Sequence, residues 1–172
     1  ITAFPLKDSR MLLVWQSTGT GYTFCISASI IDDHGQYLAD NIIIVDQGYL
    51  PNFRNPSSSS NIYQLRNGTI LLIFLIIDKD EQDLNLSWIL MSPSGHIEMR
   101  IVLPEITTRN LKDFMLLRNN NILLLSQNQT DYYTQVYTLD GKSLSDSKIM
   151  IVSDCANCTE FRIHQFGNGN VL

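Results

Sequence analysis

The stretch Leu65-Arg66-Asn67-Gly68-Thr69-Ile70-Leu71-Leu72-Ile73-Phe74 decides the reading of this chain. An apolar anchor, an Asn-Gly turn and an uninterrupted apolar run describe a hairpin turn feeding a strand. Asn and Gly suit that turn because they tolerate the left-handed backbone angles it needs. The same order recurs three times. It appears as Leu6-Lys7-Asp8-Ser9-Arg10-Met11-Leu12-Leu13-Val14-Trp15 and as Leu117-Arg118-Asn119-Asn120-Asn121-Ile122-Leu123-Leu124-Leu125-Ser126. It opens again at Phe166-Gly167-Asn168-Gly169-Asn170-Val171-Leu172. The anchors at 6, 65, 117 and 166 lie 59, 52 and 49 residues apart, which defines a repeat of about fifty residues.

A second turn recurs inside each repeat: Asp32-Asp33-His34-Gly35, Pro93-Ser94-Gly95-His96 and Leu139-Asp140-Gly141-Lys142. Strand-like runs flank each one. They are 23–31 and 37–45, 84–91 and 96–103, 132–138 and 147–152. Each repeat is therefore two hairpins, joined by a longer polar connector such as 78–83 or 128–131. Four short antiparallel strands per repeat is the arithmetic of a β-propeller blade. The second strands, Met11–Trp15, Ile70–Ile77 and Ile122–Leu125, are continuously apolar, as strands buried on both faces between neighbouring blades would be. The expected fold is thus all-β and propeller-like, with repeats at about 1–60, 61–110 and 111–160 and the start of a fourth at 161–172. A β-sandwich is the alternative, since as many strands at this spacing would also build one.

Composition agrees. The 172 residues hold four Ala and four Glu against 20 Ile, 22 Leu and 14 Phe plus Tyr, so helix formers other than Leu are scarce. Apolar residues make up 44%, enough for a core. With 12 basic and 17 acidic residues and no basic stripe, a nucleic-acid partner is not expected. The longest apolar run, Ile70 to Ile77, is far short of the roughly 20 residues that cross a bilayer as a helix. Ile1 and the unfinished repeat at Leu172 lead to the expectation that this is one β-repeat region, 1–172, of a longer chain.

The runs Asn55-Pro56-Ser57 … Leu65-Arg66-Asn67-Gly68 … Phe74 and Leu6-Lys7-Asp8-Ser9 … Val14-Trp15-Gln16-Ser17 … Asp33-His34-Gly35 resemble a tandem repeat of very large bacterial and ciliate surface proteins. In that repeat an L-x-D/N-G turn leads into a strand ending V-W-x-S and then a D-x-x-G turn. The third repeat departs from it, with Asn119-Asn120-Asn121 at the turn and no Trp. The resemblance implies propeller-like arrays with adhesive or structural roles.

Four N-x-Ser/Thr sequons begin at Asn67, Asn85, Asn128 and Asn157, where this composition gives about two by chance. Asn128 and Asn157 fall in expected loops, where a glycan is solvated. Asn67 equally suits its role as a turn former, and Asn85 lies near a strand start. Cys155-Ala156-Asn157-Cys158 lacks the strand-to-helix context of a redox motif and the further ligands of a zinc site. A short-loop disulfide between Cys155 and Cys158 is the preferred reading, with two free thiols as the alternative. Cys25 is expected to pack as a small apolar residue.

The acidic run 78–83 reads as a solvated loop, without the Gly and Glu spacing of a calcium loop. Tyr132-Tyr133 is the pair best placed to stack on a sugar, although strand aromatics more often pack in cores. No nucleophile elbow, zinc helix or phosphate loop occurs, so neither catalysis nor a metal or other cofactor is expected. The expected role is a non-catalytic structural or adhesive module of an extracellular or cell-surface glycoprotein. Its partners are further repeats of the same chain, other copies of itself in oligomers or filaments, and glycans. Two rivals remain. One is a glycan-acting propeller enzyme, for which Asp33, Asp78, Arg66 and Arg118 would have to converge. The other is an intracellular propeller scaffold for protein partners.

Overall fold

A computed structural model describes residues 1–18, 24–48, 61–77, 84–107, 110–144, 149–152, 163, 165–166 and 171. Among these residues the chain is all-β, with no helix, in three four-stranded antiparallel sheets. The first holds β1 (Thr2–Pro5), β2 (Met11–Thr18), β3 (Phe24–Ile31) and β4 (Tyr37–Gly48). The second holds β5 (Ile62–Gln64), β6 (Ile70–Ile77), β7 (Leu84–Met91) and β8 (Ile97–Thr107). The third holds β9 (Leu111–Leu116), β10 (Ile122–Asn128), β11 (Asp131–Tyr137) and β12 (Ile149–Val152). Strand order follows chain order in every sheet, so each repeat is a simple meander.

The turns explain the repeat. The anchor amide closes the first hairpin identically three times: Leu6 N to Arg10 O, Leu65 N to Thr69 O and Leu117 N to Asn121 O, each at 2.8 Å. Asp8 (φ 63°), Ser9 (φ 59°) and Asn120 (φ 65°) take the left-handed angles expected of short polar side chains there. The second turn also closes alike, with Asp32 N to Gln36 O at 3.0 Å, Ser92 N to His96 O at 2.8 Å and Thr138 N to Lys142 O at 2.9 Å.

Two expectations need correction. The connector at Asn128 is no long polar loop: Asn128 pairs with Asp131, and the chain reverses through Gln129 (φ 55°) and Thr130. The apolar second strands are also not alike. Residues 70–74 of β6 and 122–126 of β10 are buried on both faces. In β2, by contrast, Leu12 and Val14 are buried, whereas Met11 is 38% exposed and Leu13 and Trp15 are half-buried. One face of the first sheet therefore remains partly open to water.

The chain divides into two compact units, Ile1–Val102 and Leu103–Leu172. In the first, Leu12, Val14, Ile26, Ala28, Ile30, Ile44 and Val45 of the first sheet share one core with Ile62, Ile70, Leu72, Phe74, Ile89 and Met91 of the second. Side chains alternate across a strand, so Leu71, Ile73, Leu86 and Trp88 point the other way, and they too are buried. In the second unit the buried side chains include Leu103, Ile106, the 122–126 run, Tyr132 and Tyr137.

The edge strand β4 is irregular. Its register against β3 shifts four times, and Asn41 bulges at φ 50°. Ser29 Oγ holds the bulge by donating to Asp40 Oδ1 (2.7 Å) and accepting from Asn41 N (3.2 Å).

Candidate functional site

The sequons separate by exposure. Asn67 is exposed in the β5–β6 turn, where its Oδ1 accepts from Thr69 N at 3.1 Å. Asn128 is exposed at the β10–β11 turn. Asn85 is 3% exposed in β7, and its Oδ1 is buried with no hydrogen-bond partner among the described residues. A glycan on Asn85 would have to occupy space filled by protein, so the fold as described does not accommodate one. Asn157, Cys155 and Cys158 lie outside the described residues, as does the 78–83 run. Cys25 is a free thiol but is not fully packed away. It is half-buried, with Sγ 3.5 Å from Ser27 Oγ.

A second set of contacts joins successive repeats. Lys7 N donates to Gln64 Oε1 at 2.6 Å, and Lys7 Nζ donates to the Leu65 carbonyl at 3.4 Å. Arg10 Nη1 donates to the Pro93 carbonyl at 3.0 Å. Beside this, a Cβ at Gly95 would stand 2.7 Å from Ile42 Cδ1 and 2.8 Å from Ala39 Cβ, so the second repeat's turn lies directly on the first repeat's edge strand. In the second unit Arg118 N donates to Gln165 Oε1 at 3.2 Å, and Ile163 N donates to Asp113 Oδ2 at 3.0 Å. Gln64 and Gln165 each precede an anchor, Leu65 and Phe166, and each reaches the amide just after the preceding repeat's anchor. This glutamine latch was missed from sequence. Its signal was Gln directly before the anchor, a position that the third repeat fills with Leu116.

The titratable groups form pairs. Tyr137 is buried and donates to Glu105 Oε1 at 3.3 Å, and its phenol is pushed up to about 12, first by burial and then by the Glu105 charge. Lys142 Nζ lies 2.7 Å from Asp140 Oδ2, which lowers the Asp140 carboxyl and raises the Lys142 ammonium. Thr138 Oγ1 also donates to Asp140. Burial raises the Tyr133 phenol, helped by Asp131, to which it donates at 3.3 Å. Tyr132 is buried, so it packs rather than offering a face for stacking.

Asp33 and Arg66 are both exposed, and Asp33 lies 3.7 Å from His34. Asp78 lies outside the described residues. Among the described residues, no three His, Cys, Asp or Glu side chains are grouped to hold a metal, and no helix is long and apolar enough to cross a membrane. No protein-family model matches the chain, and no curated protein matches it in sequence.

Proposed function

We propose that this chain is a non-catalytic structural or adhesive module of an extracellular or cell-surface glycoprotein, its sheets set as blades of a propeller-like array. The observation that carries this reading is the repeated meander. Successive sheets in the first unit share one apolar core, and the same glutamine latch recurs in the second unit. In both units side-chain hydrogen bonds join one repeat to the next. The exposed sequons at Asn67 and Asn128 fit a secreted glycoprotein, as does the resemblance to surface-protein repeats.

Mass spectrometry of native, non-reduced material, with and without enzymatic glycan release, tests the reading. Occupied Asn128 or Asn157 together with a Cys155–Cys158 bridge supports it. Bare asparagines with free thiols would replace it with an intracellular scaffold.

A further inference from the structure

We propose that the side chains of Asn85 and Ser87 hold an ordered water molecule in the core between the first and second sheets. The two residues alternate along β7, so they share one face of the strand. That face is turned to the first sheet. Ser87 lies opposite Phe74 and Asn85 opposite Ile76, and Phe74 belongs to the core that the two sheets share, with Ile76 packed against it. Ser87 is 0% exposed. Ser87 Oγ and Asn85 Oδ1 are buried with no hydrogen-bond partner among the described residues, so they do not bond each other.

The other repeats show what these two positions carry. Nine and eleven residues beyond the anchor, the second strand has Trp15 and Ser17 in the first repeat, and Ser126 and Asn128 in the third. Opposite them stand Ser27 and Cys25, and Tyr133 and Asp131. Both pairs close on themselves. Cys25 Sγ lies 3.5 Å from Ser27 Oγ, and Tyr133 Oη donates to Asp131 Oδ2 at 3.3 Å. The second repeat keeps the polar pair without the direct contact. The side chains of the shared core around it are apolar and offer neither donor nor acceptor. An orphaned oxygen in such a place costs the free energy of its lost hydration, and a buried water that bonds both atoms removes that cost. Alternate residues of a strand stand about 6.8 Å apart, and one water spans about 5.6 Å between two oxygens. The Asn85 side chain is long enough to take up the difference. The string Asn85-Leu86-Ser87 then serves as a hydration pair, not as a glycan acceptor.

A crystal structure of the whole chain that resolves ordered water tests this, together with chemical denaturation of the wild type and Ser87→Ala. The expected result is one water within about 3.2 Å of both oxygens. Ser87→Ala should then unfold at a lower denaturant midpoint, because the water loses a partner. A core without that water, or a direct Ser87–Asn85 bond, overturns the proposal. So does a Ser87→Ala midpoint equal to or above the wild type, which removal of a dry, unpaired hydroxyl would give. The proposal is independent of the glycoprotein reading. A glycan on Asn85 of native material defeats the water site and leaves that reading standing, whereas bare Asn67, Asn128 and Asn157 with the water in place do the reverse.

Discussion

Gly95 has two reasons to be glycine, and they can be measured separately. Its φ of 88° is strained for any side chain, and a Cβ there meets Ile42 and Ala39 inside 3 Å. Gly35 has a φ of 77° in the equivalent turn but nothing within 4 Å of its missing Cβ. Gly35→Ala is expected to cost about 1–2 kcal/mol, the backbone term alone. Gly95→Ala should cost more, and the difference between their denaturant midpoints reads the steric contact between repeats. At Tyr137 the proton is held more tightly in the folded state, up to about 12 from the usual 10.0. The unfolded chain then loses its proton first as pH rises, so this contribution to stability is intact below pH 10 and declines between 10 and about 12. Thermal melts across that window should fall for the wild type and fall less for Tyr137→Phe. Phenolate absorbance should show one late-titrating tyrosine that the variant lacks.

At the scale of elements, β6 and β2 are the instructive pair. Both open on an apolar run, Met11–Trp15 in β2 and Ile70–Ile77 in β6, yet Ile73 in β6 is 1% exposed and Met11 in β2 is 38% exposed. Ile73→Ala is expected to cost about 2–5 kcal/mol, while Met11→Ala should stay within about 1 kcal/mol. Equal losses in chemical denaturation would mean that the two strands are packed alike. The glutamine latch gives a smaller signal, with Gln64→Ala costing about 1–3 kcal/mol for two hydrogen bonds, from Lys7 N and to the Gly68 carbonyl. The pattern of turns and strands was legible because Asn, Asp and Gly at fixed offsets dictate backbone angles locally. The β10–β11 connector was misread because Gln129 carries no such signature, although it turns at φ 55°. Burial of Asn85 was illegible for a different reason. A sequon is a local string, whereas exposure depends on which sheet face position 85 occupies and what packs there. The latch was hidden because it joins residues 57 apart in one case and 47 in the other.

At the scale of the whole molecule, the readings rest on what lies outside each sheet. Asn128→Gln is expected to lower the native mass by one glycan, whereas Asn85→Gln should leave it unchanged, as intact mass spectrometry would show. A loss at Asn85 would require β7 to be modified before it enters its sheet. The bulged edge strand β4 has a further consequence for how the chain meets other strands. Edges with regular, unpaired amides invite strand addition and amyloid-like zippering. Four register shifts and the Ser29–Asp40–Asn41 bulge break up that template along β4. This edge then resists the lateral strand pairing that seeds an aggregate.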